Sequence, residues 1–428
     1  MRNRKLTVAM LMALATPSIY AAGFALIEQS ASGQGLSYAG AAANAEDASV
    51  MWFNPAGMTE ISGNEAIFAG HLIVPKSEFS NNGSTSDYPG PLSGFSGATS
   101  GNNDNGATTG FVPNLYWKGR YADYDIGLGI NVPFGQKIKY EDNWVGRYHA
   151  FETNLKTLNI NPSIAKKIND QLSFGLGLNA QYVDLVLSSK VDNTLAGNPA
   201  AEDGDAKITA DSWAYGYNLG LFYKPTPLTN LGVSYRSSIT HFAKGKVDYT
   251  GVINAGGLIN IVDADVKSTV NLPASLSLSL NQGVNDKLQI LADATWTQWS
   301  DYKELVINFD SDQEDSNTRQ DFKDSWRLSL GGIYKVNDKL KLRTGIAFDQ
   351  TPVSNPENRS PRTPDVDRKW LSVGLGYKVS SSLNLDLAYS HLAEDTAKVN
   401  YTANDIHTLK GSYKNAVDIF SAQIVWKY

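Results

Sequence analysis

The stretch Ala274-Ser-Leu-Ser-Leu-Ser-Leu280 alternates small polar and apolar residues without a break. Successive side chains of an extended strand point to opposite faces, so the leucines would cover one face and the serines the other. The same period recurs along the chain, most clearly in residues 213–223, 340–348 and 383–389. Many segments of about ten residues with this pattern are typical of the wall of a transmembrane β-barrel.

The connections between these segments fall into two classes. Six tight turns, rich in Asn, Asp, Gly, Pro and Ser, alternate with seven long polar connections. The long ones lie near 75–110, 134–150, 190–211, 243–268, 308–325, 349–368 and 392–414. A soluble β-sandwich would not sort its loops by length in this way. The pattern predicts an all-β fold, a 14-stranded antiparallel transmembrane β-barrel with short turns at one end.

The composition excludes several other classes of protein. The chain has 428 residues, no cysteine, and 43 acidic against 37 basic residues. Past the N-terminus no apolar run reaches the roughly 18 residues that a transmembrane helix needs. Zinc-thiolate sites, disulfides and cysteine nucleophiles are impossible without cysteine. A net charge of -6 without Lys/Arg runs disfavours nucleic acid as a partner.

Both ends of the chain carry sorting signals. Residues 1–21 read as a signal peptide, with three bases, a short apolar run and a predicted cut before Ala22. The protein is therefore expected to be exported. The last segment places alternate apolar residues on one face and ends on the aromatic Tyr428. A terminal aromatic residue on the lipid face is typical of substrates of the barrel assembly machinery.

Residues 22–63 do not alternate and are rich in Gly, Ala and Ser. A lumen of fourteen strands is too wide for wall side chains to fill. This segment is therefore predicted to be a hatch that plugs the lumen, and residues 64–428 are predicted to form the barrel.

The chain resembles the FadL-type outer-membrane long-chain fatty acid transporters, a family that also includes aromatic-hydrocarbon uptake proteins. The resemblance covers essentially the whole chain after the signal peptide. The motifs that carry it are Ala22-Gly23-Phe24-Ala25-Leu26, Asn54-Pro55-Ala56, Phe174-Gly175-Leu176-Gly177, Tyr235-Arg236-Ser237, Asn271-Leu272-Pro273, Trp326-Arg327, Arg343-Thr344-Gly345, Asn358-Arg359, Pro364-Asp365 and Asp367-Arg368.

The resemblance implies passive uptake of a long-chain fatty acid or another hydrophobic small molecule. Outer loops would capture the ligand, and a pocket against the hatch would hold it with cations near its carboxylate. A hatch rearrangement would then release it sideways through a gap in the barrel wall into the lipid bilayer. We expect a monomer in contact with bilayer and lipopolysaccharide, with no cofactor and no metal.

Two sets of hatch residues are candidate site residues. The hatch motif comprises Asn54, Pro55 and Ala56, which could form a moving turn beneath the ligand or an ordinary Asn-Pro turn. The predicted pocket lining comprises Phe24, Leu26, Trp52 and Phe53. Packing of the hatch core is the alternative role for these apolar residues.

The third strand is interrupted by Gly129, Pro133 and Gly135, with Phe134 between the last two. Proline cannot donate to a sheet ladder and glycine weakens it. The interruption therefore predicts an inward kink and a lateral opening, unless the strand simply ends at Val132.

Aliphatic residues in the outer loops predict a capture groove. The candidates are Leu195, Val252, Leu258, Ile259 and Ile261. Exposed aliphatic side chains in a loop need a reason, although packing against the barrel rim would also explain them.

The candidate head-group cations are Lys190, Arg327 and Arg343. Alternation points both arginines into the lumen, where salt bridges to acidic residues are the competing role. An enzyme is a rival class, but no catalytic motif surrounds the five histidines. An open porin would not need a hatch, and a role as surface antigen or phage receptor stays open.

Overall fold

The computed structural model describes residues 23–254, 261–403 and 405–428. The predicted signal peptide and the candidates Leu258 and Ile259 lie outside the described residues. Fourteen strands form the wall, and six of them are built from two segments. They are β1 (Glu65–Asn81), β2 (Gly110–Tyr121), β3 (Tyr124–Asn131 and Gly135–Lys139), β4 (Glu152–Lys167), β5 (Leu172–Val191), β6 (Gly204–Thr226), β7 (Thr229–Arg236 and Ile239–Thr250), β8 (Ala264–Leu272 and Ser275–Gly283), β9 (Leu288–Thr297 and Glu304–Phe309), β10 (Ser316–Arg319 and Ser325–Lys335), β11 (Leu340–Asp349), β12 (Arg368–Lys378), β13 (Leu383–Glu394 and Ala397–Ala403) and β14 (His407–Lys427).

The wall is a closed antiparallel barrel. Each strand pairs with the next, and β14 returns to pair with β1 from Glu65 opposite Lys427 to Asn81 opposite Gly411. Side chains alternate as the opening stretch predicts: Leu278 is 50% exposed on the outer face, and Ser279 is buried in the lumen. The predicted fourteen-stranded barrel is confirmed. No helix in the described ranges is long and apolar enough to cross a membrane.

Two predicted long loops are much shorter than the sequence suggested. In the region 243–268, β7 continues to Thr250 and β8 begins at Ala264. The region 392–414 is mostly strand, because β13 reaches Ala403 and β14 begins at His407. Near these ends the alternation is reversed: in β13, Val399 and Tyr401 are buried, whereas Lys398 and Asn400 are exposed. The ends therefore lack the outward apolar face that marks a strand in lipid.

The segment 23–63 lies inside the barrel. It contains three short helices, namely α1 (Ala31–Gln34), α2 (Val50–Phe53) and a 3-10 helix (Pro55–Glu60). Most of its residues are buried, and many of the innermost ones are alanines with almost no exposed surface. Further 3-10 turns lie in the outer loops at Gly90–Phe95 and Asn193–Ala196, and another, Trp299–Asp301, lies between the two segments of β9. A two-residue hairpin pairs Thr85–Ser86 with Gly97–Ala98.

Glycines of the wall allow the hatch backbone to approach the strands directly. A Cβ atom at Gly220 would overlap the Asn54 side chain, and one at Gly175 would overlap the backbone at Ala56. Other wall glycines meet hatch carbonyls in the same way; these are Gly232, which faces Ala42, and Gly345, which faces Leu36. We call these four positions the glycine sockets. Only glycine leaves room for backbone this close to a strand.

The glycine sockets predict that Gly220→Ala loosens the hatch without unfolding the barrel. The added methyl group would displace Asn54 and remove hydrogen bonds worth about 1–3 kcal/mol of hatch docking. We expect faster swelling of proteoliposomes in small sugars. Gly332→Ala is the matched control, because its Cβ would meet its nearest neighbour, the Gln289 carbonyl, at an ordinary 3.6 Å. Equal swelling rates for the two variants would contradict the role of the socket.

Candidate functional site

Asn54 joins the hatch to the barrel wall. Its amide nitrogen donates to the carbonyls of Ala42 at 2.8 Å and Leu221 at 2.9 Å. Its amide oxygen accepts from the Ala56 backbone N–H at 3.0 Å and caps the 3-10 helix that begins at Pro55. Asparagine can donate and accept at the same time, whereas an ionised aspartate can only accept. The motif therefore combines a helix cap with a tie between hatch and wall.

The start of the hatch bonds to the interrupted strand β3. The Leu26 N–H donates to the Pro133 carbonyl at 2.7 Å, and the Gly135 N–H donates to the Phe24 carbonyl at 3.0 Å. Further along, the Gln29 side chain donates to the Val132 carbonyl at 3.1 Å. The hatch thus provides the backbone partners that a neighbouring strand would otherwise provide.

The wall has a gap in its ladder beside this contact. The ladder between β2 and β3 covers Leu115–Tyr121 and Tyr124–Ile130 only. The remaining part of β2, Gly110–Asn114, pairs with β1 alone. The interruption predicted at Pro133 is therefore present, with Phe134 inside it and Gly135 resuming the strand, while Gly129 still pairs with Tyr116. Its role as a lateral opening stays a prediction.

A central cavity of about 160 Å³ lies between the hatch and the wall. Three of the predicted pocket residues line it, namely Leu26, Trp52 and Phe53. Pro133 and Phe134 line it too, so it adjoins the gap in the wall. The surface is mainly apolar but includes two arginines, Arg236 and Arg327, and two acidic residues, Asp293 and Asp349.

The fourth predicted pocket residue, Phe24, lines a separate upper cavity of about 60 Å³. Its ring lies 4.9 Å from the Trp299 ring and 6.0 Å from the Phe134 ring, measured between centroids. Both partners line the central cavity. The Phe24 side chain is therefore part of the aromatic partition between the two cavities. The adjacent Gly23 N–H donates to the buried Asp365 carboxylate at 3.0 Å.

Of the predicted cations, only Arg327 lines the central cavity. Lys190, near the outer end of β5, pairs with Asp205 at 2.7 Å. Arg343 faces a polar recess at the opposite end of the barrel and pairs with Glu46 at 3.0 Å and Asp386 at 2.8 Å. The structure does not bring these three cations together, because two of them are held at opposite ends by acidic partners.

The contact between Glu46 and the wall is a partly buried ion-pair cluster. Burial alone would raise the pKa of Glu46, but Arg343 and Lys341 hold that pKa well below its usual range. Lys341 adds a second ion pair to the same carboxylate at 2.6 Å. This cluster fastens the hatch at the end of the barrel that carries the short turns, which is the expected periplasmic end. Arg343 is therefore not available to a ligand in the central cavity.

Sequence reasoning did not select Arg236 as a cation. Its guanidinium lies 3.6 Å over the Trp52 ring and donates to the Trp52 carbonyl at 2.7 Å and to Asn179 Oδ1 at 2.8 Å. Alternation with Val233 and Tyr235, which pack on the outer side, could have placed it in the lumen. Within the described residues it forms no ion pair with a carboxylate, so its charge faces the cavity without direct compensation.

The two loops predicted to form the capture groove meet at the outer rim. Asn193 donates to the Gly251 carbonyl at 2.9 Å and accepts from the Ile253 N–H at 2.9 Å. These bonds bring the helical turn that carries Leu195 next to Val252, and Ile261 is partly exposed on the same loop as Val252. Ligand capture by these residues stays a prediction.

Comparison with known proteins accords with this geometry. A family model described as outer membrane protein transport protein (OMPP1/FadL/TodX) matches residues 12–428. The chain belongs to this FadL/TodX family. The resemblance seen in the sequence and the location in the outer membrane are thereby confirmed.

FadL/TodX relatives cover nearly the whole chain. The long-chain fatty acid transport protein of Escherichia coli K12 is 30% identical over 429 residues, covering 92% of this chain and 93% of the relative. Outer membrane protein P1 of Haemophilus influenzae is 31% identical over 413 residues, covering 89% and 88%. Relatives with different descriptions are therefore almost equally similar, and similarity alone does not choose a substrate.

Solved FadL/TodX structures share the fold. The structure of a Pseudomonas aeruginosa FadL homologue has a TM-score of 0.84 at 25% identity, covering 95% of this chain and all of that one. The Pseudomonas putida toluene transporter TodX has a TM-score of 0.68 at 17% identity, covering 92% and 98%. The family consists of outer-membrane transport proteins for hydrophobic molecules.

The contacts of Asn54 predict that Asn54→Ala frees the hatch from the wall. The change removes two donated hydrogen bonds and the helix cap, at a cost of about 1–3 kcal/mol. Amide hydrogen exchange in residues 42–60 should accelerate while the strands stay protected. Asn54→Asp keeps a capping oxygen but loses the donors, so it should resemble Asn54→Ala. Wild-type protection in Asn54→Asp would show that the cap alone holds the motif.

Proposed function

We propose that this protein carries long-chain fatty acids across the outer membrane by passive diffusion. Outer loops capture the ligand, the internal cavities hold it against the hatch, and a hatch rearrangement releases it laterally through the gap between β2 and β3. No energy source is needed, because each methylene group transferred from water to an apolar environment gains about 0.8 kcal/mol.

The observation that carries this proposal is the central cavity with its guanidinium groups. An apolar cavity with a few polar groups suits a ligand that is mostly hydrocarbon. Arg236 has neutral hydrogen-bond partners only, and Arg327 keeps its Nε and Nη1 atoms without a partner. A buried charge is costly unless it is paired. A carboxylate on the ligand would supply the missing partner.

The position of the cavity supports lateral release. Pro133 and Phe134 line the cavity and also belong to the gap in the β2–β3 ladder. The hatch residues Phe24 and Leu26 fill this gap through their backbone hydrogen bonds. Displacement of the hatch start would therefore open the gap and enlarge the cavity in one movement.

Uptake of an aromatic hydrocarbon by the same route is the alternative. The central cavity, at about 160 Å³, matches the size of an engineered apolar cavity of about 150 Å³ that binds benzene. Phe134 and Trp299 would offer ring faces to such a ligand. A neutral hydrocarbon would leave the arginine charges unused, which is why we favour the fatty acid.

Arg236→Gln separates the two substrates. The change removes the charge but keeps a hydrogen-bond donor, so uptake of oleate should fall about tenfold or more, the value of a charge-assisted hydrogen bond. Toluene uptake should not change. Uptake is measured with labelled substrates in a deletion strain that carries each variant.

The matched control is Arg120→Gln at the short β2–β3 turn, where Arg120 pairs with Asp125 away from both cavities. This variant should transport both substrates normally. If the wild-type protein restores toluene uptake but not oleate uptake, the substrate is an aromatic hydrocarbon and the fatty-acid proposal is wrong. An equal fall for both substrates in Arg236→Gln would show a packing role for Arg236.

A further inference from the structure

The outer loop between β11 and β12, residues 350–367, crosses the lumen above the upper cavity; we call it the crossing loop. It bonds to strands that are not its neighbours in the chain. Gln136 of β3 donates to Thr363 Oγ1 at 3.2 Å, and Asn415 of β14 donates to the Pro364 carbonyl at 2.8 Å. The crossing loop therefore roofs the upper cavity, just as the hatch closes the lumen from below.

Arg362 of the crossing loop is held by neutral acceptors. Its Nη1 atom donates to the Glu152 carbonyl at 2.9 Å and to Thr153 Oγ1 at 2.8 Å, and its Nη2 atom donates to the Ser188 carbonyl at 2.9 Å. These bonds anchor the side chain at the outer ends of β4 and β5. A guanidinium has five N–H donors, so donors remain for a ligand.

The upper cavity contains the Arg362 charge but no opposite charge. None of the described residues that line it is acidic. Burial lowers the pKa of Arg362 to about 10, so the group stays charged at neutral pH. Two other arginines of the lumen are ion-paired, namely Arg343 with Glu46 and Arg368 with Asp365. The central cavity differs as well, because it contains two acidic residues.

The rest of the upper cavity suits a hydrocarbon chain. Leu155, Val183 and Leu185 of β4 and β5 form one apolar wall, and Leu272 of β8 forms part of another. Phe24 closes the cavity on the side of the central cavity. A ligand with its head at Arg362 would point its tail at the aromatic partition and, beyond it, at the gap in the wall.

We infer that Arg362 is a carboxylate-binding residue of the upper cavity, which selects anionic amphiphiles and orients them head outward before they reach the central cavity. This inference rests on the proposed function. It adds a third cation, on a different element from Arg236 and Arg327, and it assigns charge selection to the upper cavity.

The test is binding of oleate and of oleyl alcohol, which share a chain and differ in charge, to purified full-length protein in nanodiscs. In Arg362→Gln, oleate affinity should fall roughly ten- to hundredfold, the range for a hydrogen bond to a charged group. The affinity for oleyl alcohol should stay at the wild-type value. Arg362→Lys, which keeps the charge, should retain most of the oleate affinity.

Arg359→Gln is the matched control on the same loop. Arg359 also donates to backbone carbonyls, those of Asp365 and Lys398, but it does not line the upper cavity. This variant should keep the wild-type ratio of the two affinities. Heat-modifiable migration on gels confirms folding of each barrel.

Three outcomes would overturn the inference. Arg362→Gln could bind oleate as wild type does, or it could lose oleate and oleyl alcohol equally, which would make Arg362 a structural anchor of the loop. Arg359→Gln could lose oleate alone to the same extent. Failure of the proposed function is distinguishable, because the wild-type protein itself would then not prefer oleate to oleyl alcohol.

Discussion

Backbone polar groups at membrane depth need partners, and this requirement links the hatch to the wall. An unsatisfied N–H or C=O in hydrocarbon costs several kcal/mol. Where β3 leaves β2, the Pro133 carbonyl and the Gly135 N–H find their partners in Leu26 and Phe24. The start of the hatch is therefore part of the sheet as well as part of the plug. A movement that opens the wall would have to break these two hydrogen bonds.

Ion-paired and unpaired charges lie at different levels of the lumen. The hatch is fastened by ion pairs at its periplasmic side, where Glu46 meets Lys341 and Arg343. Arg236 and Arg362, which line the two cavities, instead have neutral hydrogen-bond partners. The ion pairs of Glu46 hold the hatch in place. Arg236 and Arg362 lack an acidic partner, and a buried charge of this kind favours binding of an anion. In the proposed function, arginine thus serves attachment at one level and ligand recognition at another.

The sequence predicted the features that depend on local chemistry. One face of each strand meets lipid and the other meets the lumen, which causes the alternation seen at Leu278 and Ser279. Because each strand carries this pattern, the number of strands was predicted correctly. Proline cannot donate a hydrogen bond to a β-sheet ladder, so the break at Pro133 could be predicted as well. The outer ends of β13 and β14 were not, because their outward face is polar and their apolar residues, such as Val399 and Leu409, are buried inside.

The candidate site was only partly predictable, because its charges are paired over long sequence distances. The partner of Arg343 is Glu46 of the hatch, and alternation gives the direction of a side chain but not the acid that it meets. Arg362 lies in an irregular loop without any period, so only the fold shows that this loop enters the lumen. The pocket residues Leu26, Trp52 and Phe53 were easier, since apolar residues in a polar exported segment already need an explanation.

The seam between β1 and β14 has a consequence for the order of assembly. It joins the strand that directly follows the hatch to the last strand of the chain, so it cannot form until the whole chain is available. The glycine sockets lie on β5, β6, β7 and β11, all of which precede the final strand. The growing sheet can therefore take up the hatch while one side is still open. A hatch that seats after closure must enter through the periplasmic mouth and pass Lys341 and Arg343.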